Sequence, residues 1–291
     1  MPGRAWLYAL SAVLLWSTVA SVFKLTLRHV DFIHLLLISS WTAFLALFLV
    51  LAAQGKVALL RRLTGRELLR SAGLGALNPY LYYLVLFKAY SLIPAQEALA
   101  LNYTWPVVLV LLSVPLLGQR IGAGSVAAIL VSFSGVVLIA TRGEVTGLAV
   151  SHPLGAALAL GSSLIWALFW IFNLRDRRDP VLRLFLSFGF GSLFILATVL
   201  LGEGIRIPAW PGLLGGLYSG LFEMGLTFLL WLKALELAST TAQVSNLVFL
   251  APFLSLVFIR VLVGEPILPS TLAGLVLIIC GILIQQRLER T

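Results

Sequence analysis

Glu223 is an acid set inside the apolar run 212–235, twelve residues beyond Pro211. On a helix rising 1.5 Å per residue that spacing places it about 18 Å along the rod. An unpaired charge buried that deeply is costly, so the position asks for a specific reason. Three readings stand open: it binds a ligand's ammonium group, it carries a proton, or it is a protonated acid hydrogen-bonded across helices. Gly216, Gly220, Glu223 and Thr227 lie on one helical face, and Ser71, Gly75, Asn78 and Tyr82 repeat that spacing. Small residues so placed also let helices approach closely, with Gly216-x-x-x-Gly220 as a contact motif. Pro79, Pro106 and Pro252 each interrupt an apolar run and mark either a binding site or hinge or a simple bend.

Aromatic side chains gather at similar depths. Ser162, Trp166, Trp170 and Asn173 share a face, and Trp16, Tyr82, Tyr83, Tyr103 and Trp105 occupy other runs. Trp6, Tyr8, Trp41 and Trp210 suit belts at a membrane interface, but Trp16, Trp105 and Trp166 sit too deep for that. A cavity walled by them would take a flat apolar or cationic ligand through stacking and cation–π contact. Asn102 and Asn246 could complete a polar lining, Asn246 sharing a face with Gln243; bonding between helices is the plainer reading of both. Glu97, in the first turn after Pro94, complements a helix dipole, and Gln243 closes a capping box with Thr240. Lys88 and Lys233 lie near run ends and can snorkel.

Other chemistry finds no support. His29, His34 and His152 are scattered near loops, so no metal site is expected; no phosphate loop of the GxxxxGK[ST] kind occurs, and no nucleophile–base pair is visible. Catalytic residues and cofactors are therefore expected to be none.

The elements that must position these residues follow from composition. Of 291 residues 60% are hydrophobic and 11% charged, with mean hydropathy +1.06, against about 25% charged in soluble domains. Soluble enzymes and nucleic-acid binders are disfavoured. Ten apolar runs, 5–23, 32–53, 71–91, 95–117, 123–141, 153–174, 181–201, 212–235, 240–263 and 269–286, read as membrane-spanning helices. The first could be a cleaved signal, but its length and the repeat described next argue that it stays. If the amino terminus is cytoplasmic, 14 of the 20 Lys and Arg fall inside, the clusters 61–70 and 175–183 among them. Both termini are thus expected inside, and the net charge of +9 reports orientation rather than a nucleic-acid partner. Cys280 is the lone cysteine and is expected to be a packed thiol.

The chain answers itself. Shifted by 146 residues, Pro106 falls on Pro252, Gly118 on Gly264, Gln119 on Glu265, Ile121 on Ile267 and Gly135 on Gly281. A shift of 145 places Gly75 on Gly220 and Lys88-Ala89 on Lys233-Ala234, and a shift of 150 places Trp16 on Trp166. Two repeats, 1–146 and 147–291, would each hold five spans. Five is odd, so the second must run inverted, the architecture of secondary transporters with a site near the midplane. The expected fold is an all-α integral membrane protein of ten transmembrane helices, as two inverted five-helix repeats around a central cavity.

The twice-occurring LG-Q/E-x-I/L turn after a Pro-bearing helix, followed by G-[LV]-[VL]-L-I, resembles the EamA domain of the drug/metabolite transporter superfamily over nearly the whole chain. Asn102-Tyr103-Thr104-Trp105-Pro106 is similar to the N-Y-x-W-P signature of YddG-type aromatic amino-acid exporters. The resemblance implies a ten-helix exporter in a bacterial inner membrane, with helices of both halves around a cavity. The first-span Glu of the small four-helix drug exporters is absent here.

The expected function is export of small amphipathic metabolites, aromatic or apolar amino acids first, by rocking the halves around Trp16, Asn78, Tyr82, Tyr83, Asn102, Tyr103, Trp105, Trp166, Trp170, Glu223 and Asn246. The partners expected are that small molecule, the lipid bilayer and, if transport is so coupled, protons, with the chain working as a monomer. The rival within transport is a multidrug exporter of aromatic cations. An intramembrane lipid-modifying enzyme is the rival from another class.

Overall fold

The computed structural model describes residues 2–118, 122–144, 150, 152–202, 204–237 and 246–288, and among them there are helices and no strand. In chain order these are α1 (Pro2–Thr26), α2 (Phe32–Ala53), a 3-10 turn (Val57–Arg62), α3 (Gly65–Gly75), a π turn (Ala76–Leu81), α4 (Tyr82–Leu92), α5 (Ala95–Asn102), α6 (Trp105–Leu117), α7 (Ala123–Ala140), α8 (Pro153–Leu174) and α9 (Pro180–Leu201). Then follow α10 (Trp210–Ser219), a π turn (Gly220–Gly225), α11 (Leu226–Leu237), a 3-10 turn (Asn246–Phe249), α12 (Leu250–Phe258), a π turn (Ile259–Val263) and α13 (Pro269–Leu288).

Among the described residues seven stretches are long and apolar enough to cross a bilayer: Arg4–Thr26, Phe32–Ala53, Ala95–Leu116, Ala123–Ala140, Pro153–Asn173, Pro180–Leu201 and Trp210–Trp231. Leu247–Val263 and Pro269–Ile284 are apolar but shorter. The expected run 71–91 is instead split into α3 and α4, because Asn78 leaves the helical region (φ −146°, ψ 120°) ahead of Pro79, which has no N–H to donate. Run 95–117 likewise breaks at Tyr103–Thr104, between α5 and α6. Leu7, Leu49, Leu69, Leu130 and Leu201 are among many exposed large apolar residues, as a lipid-facing surface requires. Cys280 also faces outward rather than packing. An apolar run does not tell the two apart, since lipid is as apolar as a protein core.

Helix starts are set by local chemistry. Asp31 caps α2, accepting from the backbone N–H of Ile33 and His34, and Asp179 caps α9, accepting from Val181 and Leu182. Thr64 and Glu67 form a full capping box at α3. Gly118 and Gly264, with φ of 67° and 80°, end α6 and the π turn after α12 in the left-handed conformation that favours glycine.

Packing uses small residues at crossings. At the α7–α13 crossing, Gly135 lies against the Gly274 carbonyl, Gly281 against the Ala128 carbonyl, and the Ser132 hydroxyl donates to the Ile278 carbonyl at 3.2 Å. Gly75 lies against the Ser187 carbonyl of α9, and Gly220 against the Ser39 carbonyl of α2. A side chain at any of these five glycines would force the helices apart. The end where α1 begins and α13 finishes is called the terminal end below; the other is the far end.

Candidate functional site

A cavity of about 370 Å³ lies in the middle of the bundle. Its wall comes from α1 (Trp16, Val19, Ala20, Phe23), α4 (Tyr82, Leu86, Tyr90), the α5–α6 break (Leu99, Asn102, Tyr103, Trp105, Pro106, Leu109) and α8 (Trp166, Trp170). The other side supplies Glu223 from its π turn, Phe228 and Trp231 from α11, Val248 and Phe249 from a 3-10 turn and Ser255 from α12. Glu223 stands on a π turn, Val248 and Phe249 on a 3-10 turn and Tyr103 at the α5–α6 break, all irregular backbone. That is where a membrane protein can tolerate irregular backbone, because freed polar groups then face a cavity instead of lipid.

The aromatic rings form a continuous wall. Trp231 lies 5.5 Å from Trp16, Trp16 lies 5.9 Å from Phe228 edge-on, Phe228 is 5.8 Å from Trp166, and Trp166 is 4.5 Å from Tyr82. Trp170 stands perpendicular to Trp166 at 5.9 Å. Offset and edge-on pairs of this kind each contribute about 1 kcal/mol beyond area burial, so the wall is preorganised.

Polar groups are few and mostly committed. The Tyr82 hydroxyl donates to Asn102 Oδ1 (3.3 Å), and Asn102 Nδ2 donates to Ser162 Oγ (2.8 Å). The Tyr83 hydroxyl donates to Glu223 Oε1 at 3.0 Å. Among the described residues no Lys, Arg or His lines the cavity.

Of the expected site residues, Trp16, Tyr82, Asn102, Tyr103, Trp105, Trp166, Trp170 and Glu223 come together on this wall. Tyr83 stands one layer behind it, fully buried, and reaches the cavity only through Glu223. Asn78 is not on the wall. It is fully buried, its amide atoms lack partners, and neighbouring Pro79 packs on Gly191 of α9. The reason is the break itself: a helical wheel drawn straight through Asn78 aligns it with Tyr82, but the backbone turns between them. Asn246 opens a 3-10 turn, with its side chain outside the described residues, as are Gln243 and Gln119.

The two matched stripes therefore divide in function. Gly75, Gly216 and Gly220 serve helix contacts, and Ser71 accepts from Arg178 at 2.9 Å. Only Tyr82 and Glu223 reach the cavity; the Thr227 hydroxyl is spent on the Phe222 carbonyl. Phe228 and Trp231 escaped the sequence reading, although the offset pairing Gly75 with Gly220 also sets Tyr83 on Phe228 and Leu86 on Trp231.

Directly beyond Phe23, Tyr90 and Leu99 the far end is closed by polar contacts. Glu97, almost fully buried, accepts from Arg142 Nε at 2.7 Å. Glu97 stands in the first turn of α5 as expected, and Glu265 joins it there, its carboxylate accepting from the backbone N–H of Ala95 (3.1 Å). Gln96 Nε2 donates to the Pro266 carbonyl (2.8 Å) while its Oε1 accepts from the Leu268 N–H (2.9 Å). Lys24 donates to the carbonyls of Tyr90 and Ile93 at 2.8 and 2.7 Å.

Sequence comparison matches the EamA-like transporter family at residues 3–141 and again at 153–285. The chain is 32% identical over 183 residues to the aromatic amino acid exporter YddG of Ancylobacter novellus, a match covering 60% of this chain and 60% of that protein. It is 28% identical over 210 residues to the uncharacterized transporter YvbV of Bacillus subtilis, covering 71% of this chain and 68% of the relative. An uncharacterized transporter of Archaeoglobus fulgidus aligns at 24% identity over 98% of this chain and 99% of its own. A crystal structure at 24% identity superposes with a TM-score of 0.68, covering 100% of this chain and 99% of that one, so the fold is shared. With two matched segments spanning nearly its whole length, the protein belongs to the EamA-like transporter family, multi-pass membrane proteins that move small molecules.

Proposed function

We propose that the protein is a secondary exporter of small amphipathic metabolites, aromatic and apolar amino acids first among them, working by alternating access. The observation that carries this reading is the continuous aromatic wall facing a single carboxylate in a closed-ended cavity. Rings stack on Trp16, Tyr82 and Trp166, an ammonium group meets Glu223, and Tyr103, Trp105 and Trp170 complete the pocket. Likeness to an aromatic amino acid exporter supports the same substrate class.

The architecture proposed is ten transmembrane helices in two inverted repeats, 1–146 and 147–291. Packing supports it. At the 146-residue offset the contact of Gly135 with Gly274 becomes that of Gly281 with Ala128, and the Ser132–Ile278 contact maps onto itself. Gly75 on Ser187 and Gly220 on Ser39 repeat the same kind of contact, glycine against a serine carbonyl, at offsets of 145 and 148. The distribution of basic residues supports an inner-membrane setting with the terminal end cytoplasmic. In this conformation the far, outer side is shut, so the cavity is loaded from the cytoplasmic side. A monomer holds the whole cavity, and Glu223 is the group that would couple transport to protons.

Counterflow in proteoliposomes tests this, using labelled phenylalanine, tryptophan, threonine and a cationic dye, with and without a pH gradient. Uptake of the aromatic amino acids is expected. Dye transport without amino-acid transport would replace this reading with a multidrug exporter of aromatic cations.

A further inference from the structure

We infer that Glu223 makes a protonated amine the one charged group the cavity reads, so that aromatic primary amines without a carboxylate are bound at least as well as aromatic amino acids. The inference rests on the export reading above and narrows what its site recognises. One oxygen of Glu223 is held by Tyr83, and the other has no hydrogen-bond or ion-pair partner among the described residues. The carboxylate is therefore fixed in direction yet available to a ligand. Aromatic rings line the same cavity, and their faces attract a cation.

A ligand carboxylate finds a different setting. No basic side chain lines the cavity among the described residues, and nearby Lys24 is turned to the carbonyls of Tyr90 and Ile93. The Tyr82 hydroxyl is committed to Asn102, and one of the two N–H groups of the Asn102 amide to Ser162. What is left for an anion is neutral donors, among them the Tyr90, Tyr103 and Ser255 hydroxyls and indole N–H groups, beside an acid that repels it when ionised. Ammonium neutralises that acid's charge; a carboxylate doubles it. Tyr83 is thus a positioning residue, acting on the ligand through Glu223.

The test is competition against labelled phenylalanine counterflow by the reconstituted full chain. Phenethylamine, which keeps the ring and amine, is expected to halve uptake at a concentration no higher than unlabelled phenylalanine requires. 3-Phenylpropionate, which keeps the ring and carboxylate, is expected to need about tenfold more. Glu223→Gln is expected to bring the two analogues to equal potency, and Tyr83→Phe to raise the phenethylamine requirement about threefold while leaving the phenylpropionate requirement unchanged. Phenylpropionate competing at the lower concentration, or phenethylamine failing while phenylalanine is carried, overturns the inference and leaves the export reading standing. Should Glu223→Gln not fold, the analogue pair on the unaltered protein still decides. If folded protein carries neither labelled phenylalanine nor labelled tryptophan nor labelled phenethylamine, the export reading itself falls. Uptake of the amine alone supports the inference and removes amino acids from the substrate range.

Discussion

At the terminal end the α8–α9 turn is fastened to α3 by full ionic charges. Asp176, almost wholly buried, is held by Arg178 (Nη2 at 2.6 Å) with Arg70 at 3.6 Å, and Arg178 reaches on to Ser71 and the Glu67 carbonyl. Lys56 meets Asp179 at 2.7 Å. Across the far end of the cavity Glu97 and Arg142 form an ion pair, while Glu265, Gln96, Lys24 and Arg28 bind backbone N–H and carbonyl groups. The first set stands beside the cavity's supporting helices; the second lies across its end. A buried ion pair is expensive to break because it strands a charge. A side chain docked on a helix end can exchange its partner for water at little net cost. The joint beside the cavity and the closure across its end are thus built from different bonds.

Breaking the clasp should have the largest effect. Asp176→Ala leaves Arg178 unpaired and mostly buried, and about 3 kcal/mol of stability is expected to go, read as a lowered melting temperature in detergent. Next, Glu97→Gln should scarcely change stability yet loosen the seal. A cysteine placed at Leu99, in a Cys280→Ser background, should then react several times faster with a membrane-impermeant maleimide added on the far side. The same cysteine combined with Asp176→Ala should react at the unaltered rate; acceleration there would erase the distinction between the ends.

Acid sharpens the comparison at a smaller scale. Burial opposes ionisation of Asp176, but hydrogen bonds and charge from Arg178 outweigh it and hold the carboxyl below its usual range; Lys56 does the same for Asp179. A carboxyl depressed in the folded state contributes stability above its unfolded pKa and loses it as pH falls through the folded value. Melting temperature should therefore hold down to about pH 4 and drop below it. Asp176→Asn should flatten that drop. The smallest effect is expected from Lys56→Met, under about 1 kcal/mol, because the pair is partly exposed.

Depth alone marks Trp16, Trp105 and Trp166 as wall residues in the sequence, because no interfacial role reaches so far into a span. Tyr82 and Glu223 are legible from their shared face. Asn78 misleads because periodicity assumes an unbroken rod, and Pro79 ends that rod one residue later. Glu97 is legible as a first-turn acid but not as a partner of Arg142, 45 residues away, since no local pattern records a tertiary ion pair. Trp231 is recoverable only by carrying the repeat offset beyond the positions that are identical. Composition locates the helices well, but it cannot tell a lipid-facing side from a packed one, as Cys280 demonstrates.

The α7–α13 crossing bears on ancestry. Its contacts exchange under one constant offset, with Ser132 and Ile278 at the centre. Two separate half-length chains, inserted in opposite directions, would meet through the same crossing with nothing altered. A gene encoding five helices could thus have been duplicated and joined end to end without inventing a new interface. On the proposed inverted-repeat architecture, the chain would keep the geometry of an antiparallel homodimer inside a single polypeptide, free to let its two halves diverge at Leu86 and Trp231 while the joint between them stays the same.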